Sequence, residues 1–203
     1  MFSAISEFLV DLLAVALAGA AIKLMDDYLD YEADIAQGRP SLLHVMGRGA
    51  VLYSLVFALT SCGINLRLGA PLVLGAYLVG MLKNPGEMLP LGLPAWMESA
   101  LVAVATLLLF GWRATSVSVL LMVAVQIGDD LQDLASDRAL GRANLARRLG
   151  RGQSILLCLV ALLAAMVVDR RTTILVCLCT PLIEALSRMA GDAGVGGGDA
   201  GVG

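Results

Sequence analysis

The ionisable residues of this chain are gathered into short segments that separate long, almost uncharged apolar stretches. Hydrophobic residues make up 59% of the 203 residues and charged residues only 15%, which is more apolar surface than one water-soluble core can bury. The pattern therefore predicts an all-α integral membrane protein, a bundle of about seven transmembrane helices. The predicted spans cover residues 6–25, 50–66, 68–82, 96–111, 115–128, 154–168 and 172–188.

The composition also indicates what the chain does not do. Glu7 and Asp11 stand where a signal peptide would carry basic residues, so the first span is expected to be retained. No basic patch is interleaved with aromatic residues, which argues against nucleic acid as a partner. The cysteines lie inside apolar spans without metal-ligand spacing, so packing is expected rather than metal or disulfide chemistry; they are Cys62, Cys158, Cys177 and Cys179.

The positive charges indicate the orientation in the membrane. If seven spans alternate in direction, residues 26–49, 83–95 and 129–153 and the C-terminal tail share one side. That side holds ten of the fourteen Lys and Arg residues when Lys23 and Arg188 at the span ends are included. The positive-inside rule makes that side cytoplasmic, in a cell (inner) membrane. We predict one membrane domain over residues 1–190, followed by a disordered glycine-rich tail over 191–203.

The chain repeats itself at an offset of 103 residues. Ten residues of the first acidic segment recur unchanged in the second, and an even number of predicted spans lies between them. We therefore predict a duplicated unit, about 6–82 and 109–188, with both copies oriented alike in the membrane. The repeated residues of the first copy are Asp26, Asp27, Asp30, Asp34, Gly38, Arg39, Leu42, Gly47, Arg48 and Gly49, and those of the second are Asp129, Asp130, Asp133, Asp137, Gly141, Arg142, Leu145, Gly150, Arg151 and Gly152.

The spacing of the repeated aspartates predicts a metal site. In each copy, three of the four carboxylates are four residues apart and would stack on one helical face. A group of eight carboxylates at one membrane surface repels itself unless divalent cations are bound, and an all-oxygen ligand set favours Mg²⁺ or Ca²⁺. The alternative is that the acids form a solvated face at the helix ends, although acids at helix C-termini oppose the helix dipole.

These motifs resemble those of the UbiA superfamily of intramembrane prenyltransferases. That family has a first motif NDxxDxxxD and a second motif centred on DxxxD. Here the first reads DDYLDYEAD, with Asp26 where the family usually has Asn, and the second reads DDLQDLASDRALGRANLARRLG. The segment GRP at 38–40 resembles the family's Arg-Pro loop, and Tyr77 with LKNP at 82–85 resembles its Tyr and Lys loop.

The resemblance implies Mg²⁺-dependent transfer of a prenyl group from a prenyl diphosphate to a lipophilic acceptor in the membrane. It assigns diphosphate binding through Mg²⁺ to Asp27, Asp30, Asp34, Asp130, Asp133 and Asp137, with Asp26 and Asp129 as further ligands or neighbours. Lys83, Arg39 and Arg142 would donate hydrogen bonds to the diphosphate, with Tyr77 also in the substrate site. Tyr28, Tyr31 and Tyr77 are candidates for stabilising an allylic cation, and His44 is interpreted as a loop residue.

Three other functions fit parts of the sequence. A soluble isoprenyl diphosphate synthase also carries two aspartate-rich motifs, but its helices would be amphipathic. A cation transporter would bind its ion at intramembrane acids and has no need of Lys83 or the Arg-Pro loop. A catalytically idle scaffold of the same fold would bind neither ligand. Family members usually have more membrane helices than are predicted here, so a homo-oligomer is one way to supply the missing walls.

Overall fold

The computed structural model describes residues 2–37, 43, 46–47, 49–82, 84–134 and 144–196, with the side chains of 2, 4, 30, 32–37 and 191–196 excepted. The described residues form helices, and their one β-type pairing is an isolated bridge between Met88 and Pro94. The helices are α1 (Phe2–Gln37), α2 (Gly49–Ile64), α3 (Leu66–Met81), α4 (Ala95–Gln132), α5 (Leu145–Leu149), α6 (Arg151–Val168) and α7 (Arg170–Gly196).

Four stretches of helix are long and apolar enough to cross a membrane: Ile5–Leu29, Ala95–Gln132, Arg151–Val168 and Arg170–Ala190. The helices α2 and α3 are equally apolar but shorter. The described residues thus confirm the all-helical fold, and the four long apolar helices support the prediction of a membrane protein. Every predicted span falls on a helix of the structure, whereas the count of seven crossings and the internal repeat stay predictions.

The long helix α4 consists of two arms that meet at Gly111. A straight helix of its 38 residues would be about 57 Å long, almost twice the hydrocarbon thickness of a bilayer. Gly111 interrupts it with φ 81° and ψ 169°, a conformation that glycine adopts without strain. The break falls at the last residue of the predicted span 96–111, just before the next predicted span, 115–128.

Contacts with α3 show that the chain turns back at this break. The Ser99 hydroxyl donates to the carbonyl of Leu78 at 3.4 Å. One helical turn earlier, a Cβ added to Gly75 would lie 3.1 Å from the Cβ of Ser118. In a straight helix Ser99 and Ser118 would be about 28 Å apart, yet both lie against the same turn of α3. The first arm (95–110) and the second arm (112–132) therefore run in opposite directions.

The chain forms two compact units, and the first comprises residues 1–73 and 175–203. In this unit α1 packs against α2 through small residues, among them the fully buried Ala14 and Ser61. The Ser61 hydroxyl donates to the carbonyl of Ala14 at 2.7 Å, and Gly69 of α3 lies directly against Ser61. Small residues allow close helix approach, which is how membrane helices pack where apolar burial gives little driving force.

The second unit comprises residues 74–174, and its main packing is between α4 and α6. Leu121 and Ile127 of the second arm are almost completely buried, as is Ala165 of α6. The thiol of Cys158 on α6 donates to the carbonyl of Ala124 at 3.5 Å. All four cysteines of the chain are free thiols.

Two helices extend further than the hydropathy pattern predicts. The predicted apolar span ends at residue 25, but α1 continues through the acidic segment to Gln37. At the other end of the chain, α7 is helical to Gly196, past the predicted start of the disordered tail at Gly191. Residues 197–203 lie outside the described part of the chain.

Candidate functional site

The first acidic segment lies on the C-terminal third of α1. Helical backbone extends through residues 26–37, so Asp26, Asp30 and Asp34 are at successive turns of one helix. Of the four aspartates, the side chains of Asp26 and Asp27 are described. Asp27 is buried, with 8% of its surface exposed, and it is the only buried carboxylate described on this helix.

Asp27 belongs to a charged cluster that joins α1 to α7. Lys23 Nζ lies 3.2 Å from Asp27 Oδ1, one turn away on the same helix, and 3.3 Å from Glu184 Oε1 on α7. Arg188 Nε lies 3.3 Å from the other oxygen of Glu184. The hydroxyl of Ser187 donates to Asp27 Oδ2 at 3.4 Å. Both carboxylate oxygens of Asp27 therefore have a partner within the protein.

The cluster brings Asp27 together with a residue that was not predicted. Glu184 lies in the apolar stretch of α7, and the sequence signal that could have found it is an isolated acid within a predicted span. Its partner on α1 could not be inferred, because the two residues are far apart in sequence. Lys23 was predicted only as a positive charge at a span end.

The second acidic segment lies at the end of the second arm of α4. The helix ends at Gln132, and Asp133 is the C-cap residue, whose backbone N–H donates to the carbonyl of Asp129 at 2.9 Å. Asp129 and Asp133 are thus one turn apart, as predicted. Asp137, the last aspartate of the same motif, lies outside the described residues, so its predicted place one turn beyond Asp133 stays a prediction.

Asp130 organises the chain that follows this segment. Its Oδ2 accepts a hydrogen bond from the backbone N–H of Leu145 at 2.9 Å. Its carbonyl accepts one from the side-chain amide of Asn144 at 2.8 Å. Asn144 is buried and also caps the short helix α5 by accepting from the backbone N–H of Arg147 at 3.1 Å. The sequence after the acidic motif is therefore folded back onto Asp130.

Tyr77, predicted to bind substrate, forms a hydrogen bond with a buried acid. Its phenol donates to Glu98 Oε2 at 2.8 Å, which joins the end of α3 to the start of α4. Glu98 is 6% exposed, and its Oε1 has no hydrogen-bond partner among the described residues. The phenol itself is reachable, since Tyr77 is 38% exposed. Glu98 was not predicted, although it too is an acid within an apolar span.

The three candidate aromatic residues have different surroundings. Tyr28 is exposed on α1. Tyr31 packs against a small core formed by Leu24, Leu43 and Ala50. The hydroxyl of Tyr77 donates a hydrogen bond to the carboxylate of Glu98.

Several predicted site residues lie outside what the structure describes. They are Arg39, Lys83, Asp137 and Arg142, the loop residue His44, and the side chains of Asp30 and Asp34. Among the described side chains, no group of three or more His, Cys, Asp and Glu residues is placed to hold a metal ion. The predicted ligand set, half of which belongs to each unit, stays a prediction.

Comparison of the chain with protein-family models, with curated proteins and with solved structures gives no match. The resemblance to the UbiA superfamily therefore depends on the motifs alone.

Proposed function

We propose that this protein is a membrane-embedded prenyltransferase that uses Mg²⁺ to bind a prenyl diphosphate and transfers the prenyl group to a lipophilic acceptor. The observation that carries the proposal is the recurrence of four aspartates and the following Gly-Arg segment at an offset of 103 residues. Both copies begin where an apolar stretch of helix ends, within the C-terminal third of α1 in one case and at the end of the second arm of α4 in the other. In the second copy, Asp129, Asp130 and Asp133 are in the last turn or at the C-cap of α4, where acids oppose the helix dipole, which favours a functional reason for them.

The repeat is also consistent with the helix bounds. Adding 103 to the bounds of α2 gives residues 152–167, and α6 is Arg151–Val168. Adding 103 to the first residue of α3 gives 169, and α7 begins at Arg170. In each unit, the acid-bearing helix packs against the helix that follows the Gly-Arg segment, α1 against α2 and α4 against α6. We interpret these as two copies of one helical unit.

The proposed donor set suits Mg²⁺, because it consists of carboxylate oxygens. The ligands would be drawn from Asp26, Asp27, Asp30 and Asp34 of the first segment and Asp129, Asp130, Asp133 and Asp137 of the second. When bound, Mg²⁺ would neutralise the negative charge of the leaving diphosphate.

The chain's own residues have three tasks in this proposal. Arg39, Arg142 and Lys83 donate hydrogen bonds to diphosphate oxygens. The apolar helices hold the isoprenoid tail by the hydrophobic effect and exclude water from the reacting carbon. Tyr77 is half-exposed, so its ring is available to the allylic carbon while Glu98 fixes the direction of its hydroxyl.

Lys23 provides a counter-charge for Asp27 while no ligand is bound. Its ammonium contacts Asp27 and Glu184, so the buried Asp27 has a counter-charge before any cation arrives. A cation at Asp27 would compete with Lys23 for the same carboxylate. Removal of the Lys23 charge is therefore expected to strengthen Mg²⁺ binding while weakening the fold.

The test is binding of geranylgeranyl diphosphate to the detergent-purified protein with and without Mg²⁺, followed by shorter and longer donors. The expected result is Mg²⁺-dependent binding that is lost in Asp30→Asn/Asp133→Asn. Asp11→Asn is the matched control, because Asp11 is another α1 carboxylate, hydrogen-bonded to Asn65 at 2.7 Å in the first unit, and is not in either motif. No binding by the wild type to any donor would refute the assignment, as would equal losses in the double variant and the control.

A second candidate function is favoured by the charged cluster of Lys23, Asp27 and Glu184. These residues lie in helices that are candidates to cross the membrane, and ionisable residues in such positions are typical of ion pathways. A cation transporter would move ions across liposomes without any diphosphate, and Glu184→Gln would abolish the flux. An idle scaffold would show neither flux nor donor binding.

A further inference from the structure

We infer that the loop between α3 and α4, residues 84–94, lies in the interfacial layer of the same bilayer that the helices cross. This interfacial loop goes beyond the proposed function and does not depend on it. Its most exposed apolar side chains are Leu91 and Met88, with 78% and 65% of their surfaces exposed. Glu87 is the one ionisable residue between residues 84 and 94.

The two tryptophans of the chain indicate the depth of this loop in the bilayer. Trp96 begins the first arm of α4, and Trp112 follows the Gly111 break at the other end of that arm. Both side chains are exposed, and about 24 Å of helix separates them, which is close to the thickness of the hydrocarbon layer. Tryptophans concentrate at the two membrane interfaces, so Trp96 marks one of them.

Backbone hydrogen bonds hold the loop at the level of Trp96. The N–H of Trp96 donates to the carbonyl of Pro85 at 3.1 Å, and the N–H of Ala95 donates to that of Glu87 at 2.8 Å. The loop therefore folds back beside the first turn of α4 and does not extend far into water. Leu82, just after α3, and Trp96, at the start of α4, are exposed as well.

The loop backbone suits a layer with little water. Its tip is closed by two internal bonds, from the N–H of Leu89 to the carbonyl of Leu93 at 2.9 Å and from the N–H of Gly92 to that of Leu89 at 2.8 Å. Proline at 85, 90 and 94 removes three further N–H donors. An apolar surface with few open donors gains by entering the boundary between headgroups and acyl chains.

The experiment places one tryptophan at the tip of the loop. The variant Leu91→Trp/Trp96→Phe/Trp112→Phe is reconstituted in phosphatidylcholine vesicles. Its tryptophan fluorescence is measured with three quenchers: lipids brominated near the headgroup, lipids brominated deep in the acyl chain, and acrylamide in water. The matched control carries Glu87→Trp in place of Leu91→Trp. Thermal unfolding of both variants in detergent confirms that they are folded.

The expected result is that shallow bromines quench Trp at position 91 about twofold more strongly than deep ones, because interfacial insertion reaches only 5–10 Å. Acrylamide should quench it less than it quenches Trp at position 87. Strong quenching by acrylamide without quenching by brominated lipid would show that the loop lies in water. Protection from both quenchers would show that protein covers the loop. Either of these results would overturn the inference.

Discussion

Replacing Lys23 with methionine tests whether one ammonium group holds α1 and α7 together. Its Nζ lies 3.2 Å from Asp27 Oδ1 and 3.3 Å from Glu184 Oε1. Each attraction is worth about 5 kcal/mol at an effective dielectric constant of about 20 and about 1 kcal/mol in bulk water. Since the three side chains keep 24%, 10% and 20% exposure, the site is between these limits, and part of the attraction only offsets desolvation.

Methionine also leaves a repulsion behind. The two carboxylate oxygens contact the same nitrogen, so they are at most about 6.5 Å apart and repel each other by about 2.5 kcal/mol at that same dielectric constant. Methionine is close to lysine in length and creates little cavity, so the loss is mainly electrostatic. We expect the free energy of unfolding to fall by about 3 kcal/mol, the usual cost of removing one partner from a buried ion pair.

Thermal unfolding in detergent, followed with a thiol-reactive dye, measures this loss because the free cysteines Cys158 and Cys179 become reactive on unfolding. A loss of about 3 kcal/mol corresponds to a Tm lower by about 6–12 °C for a chain of this size. Lys23→Arg should melt near the wild type, and Lys23→Met/Glu184→Gln should recover at least half of the shift. A Tm for Lys23→Met within about 1 °C of the wild type, or no recovery in the double variant, would refute the reasoning.

Two further substitutions test the second unit by the same measurement. Gly111→Ala should lower the free energy of unfolding by about 1–3 kcal/mol through backbone strain at φ 81°, since a Cβ there meets no atom within 4 Å. Gly80→Ala is the control: its Cβ also enters open space, but φ is not positive, so the change should be neutral or stabilising. Equal effects of the two substitutions would contradict the strain argument. Tyr77→Phe should lower the free energy of unfolding by about 1–3 kcal/mol, because it removes the hydroxyl that donates to the buried Glu98 carboxylate. Tyr53 is exposed, so the control Tyr53→Phe should change Tm little.

The apolar helices were predictable because hydropathy is a local property of the sequence. The predicted spans 50–66 and 68–82 correspond to α2 and α3 within two residues at each end. An interruption near residue 111 was implied by the separate predicted spans 96–111 and 115–128. The length of α1 was underestimated because hydropathy falls at Asp26, whereas helical backbone does not require apolar side chains.

The partners of the intramembrane acids could not be predicted, because they come from helices that are distant in the sequence. Glu184 is joined to Lys23 across 161 positions and Glu98 to Tyr77 across 21, as the numbering shows. An isolated acid in an apolar span predicts only that some partner exists, since an unpaired charge there is costly. Which partner it has depends on how the helices pack, and no periodicity in this chain specifies that.

The two acidic segments differ in how they balance their charge, and the difference bears on the proposed function. At the 103-residue offset, Gln126 stands opposite Lys23 and Met81 opposite Glu184, so the repeat does not carry the residues that contact Asp27 over to the second segment. Asp130 is held instead by the backbone N–H of Leu145, with Asn144 bonded to its carbonyl. A backbone donor stabilises a carboxylate without adding a full positive charge, so it competes less with a metal ion than Lys23 does. If Mg²⁺ binds at the first segment, Lys23 must therefore release Asp27, and Lys23→Met should bind the cation more tightly than the wild type does.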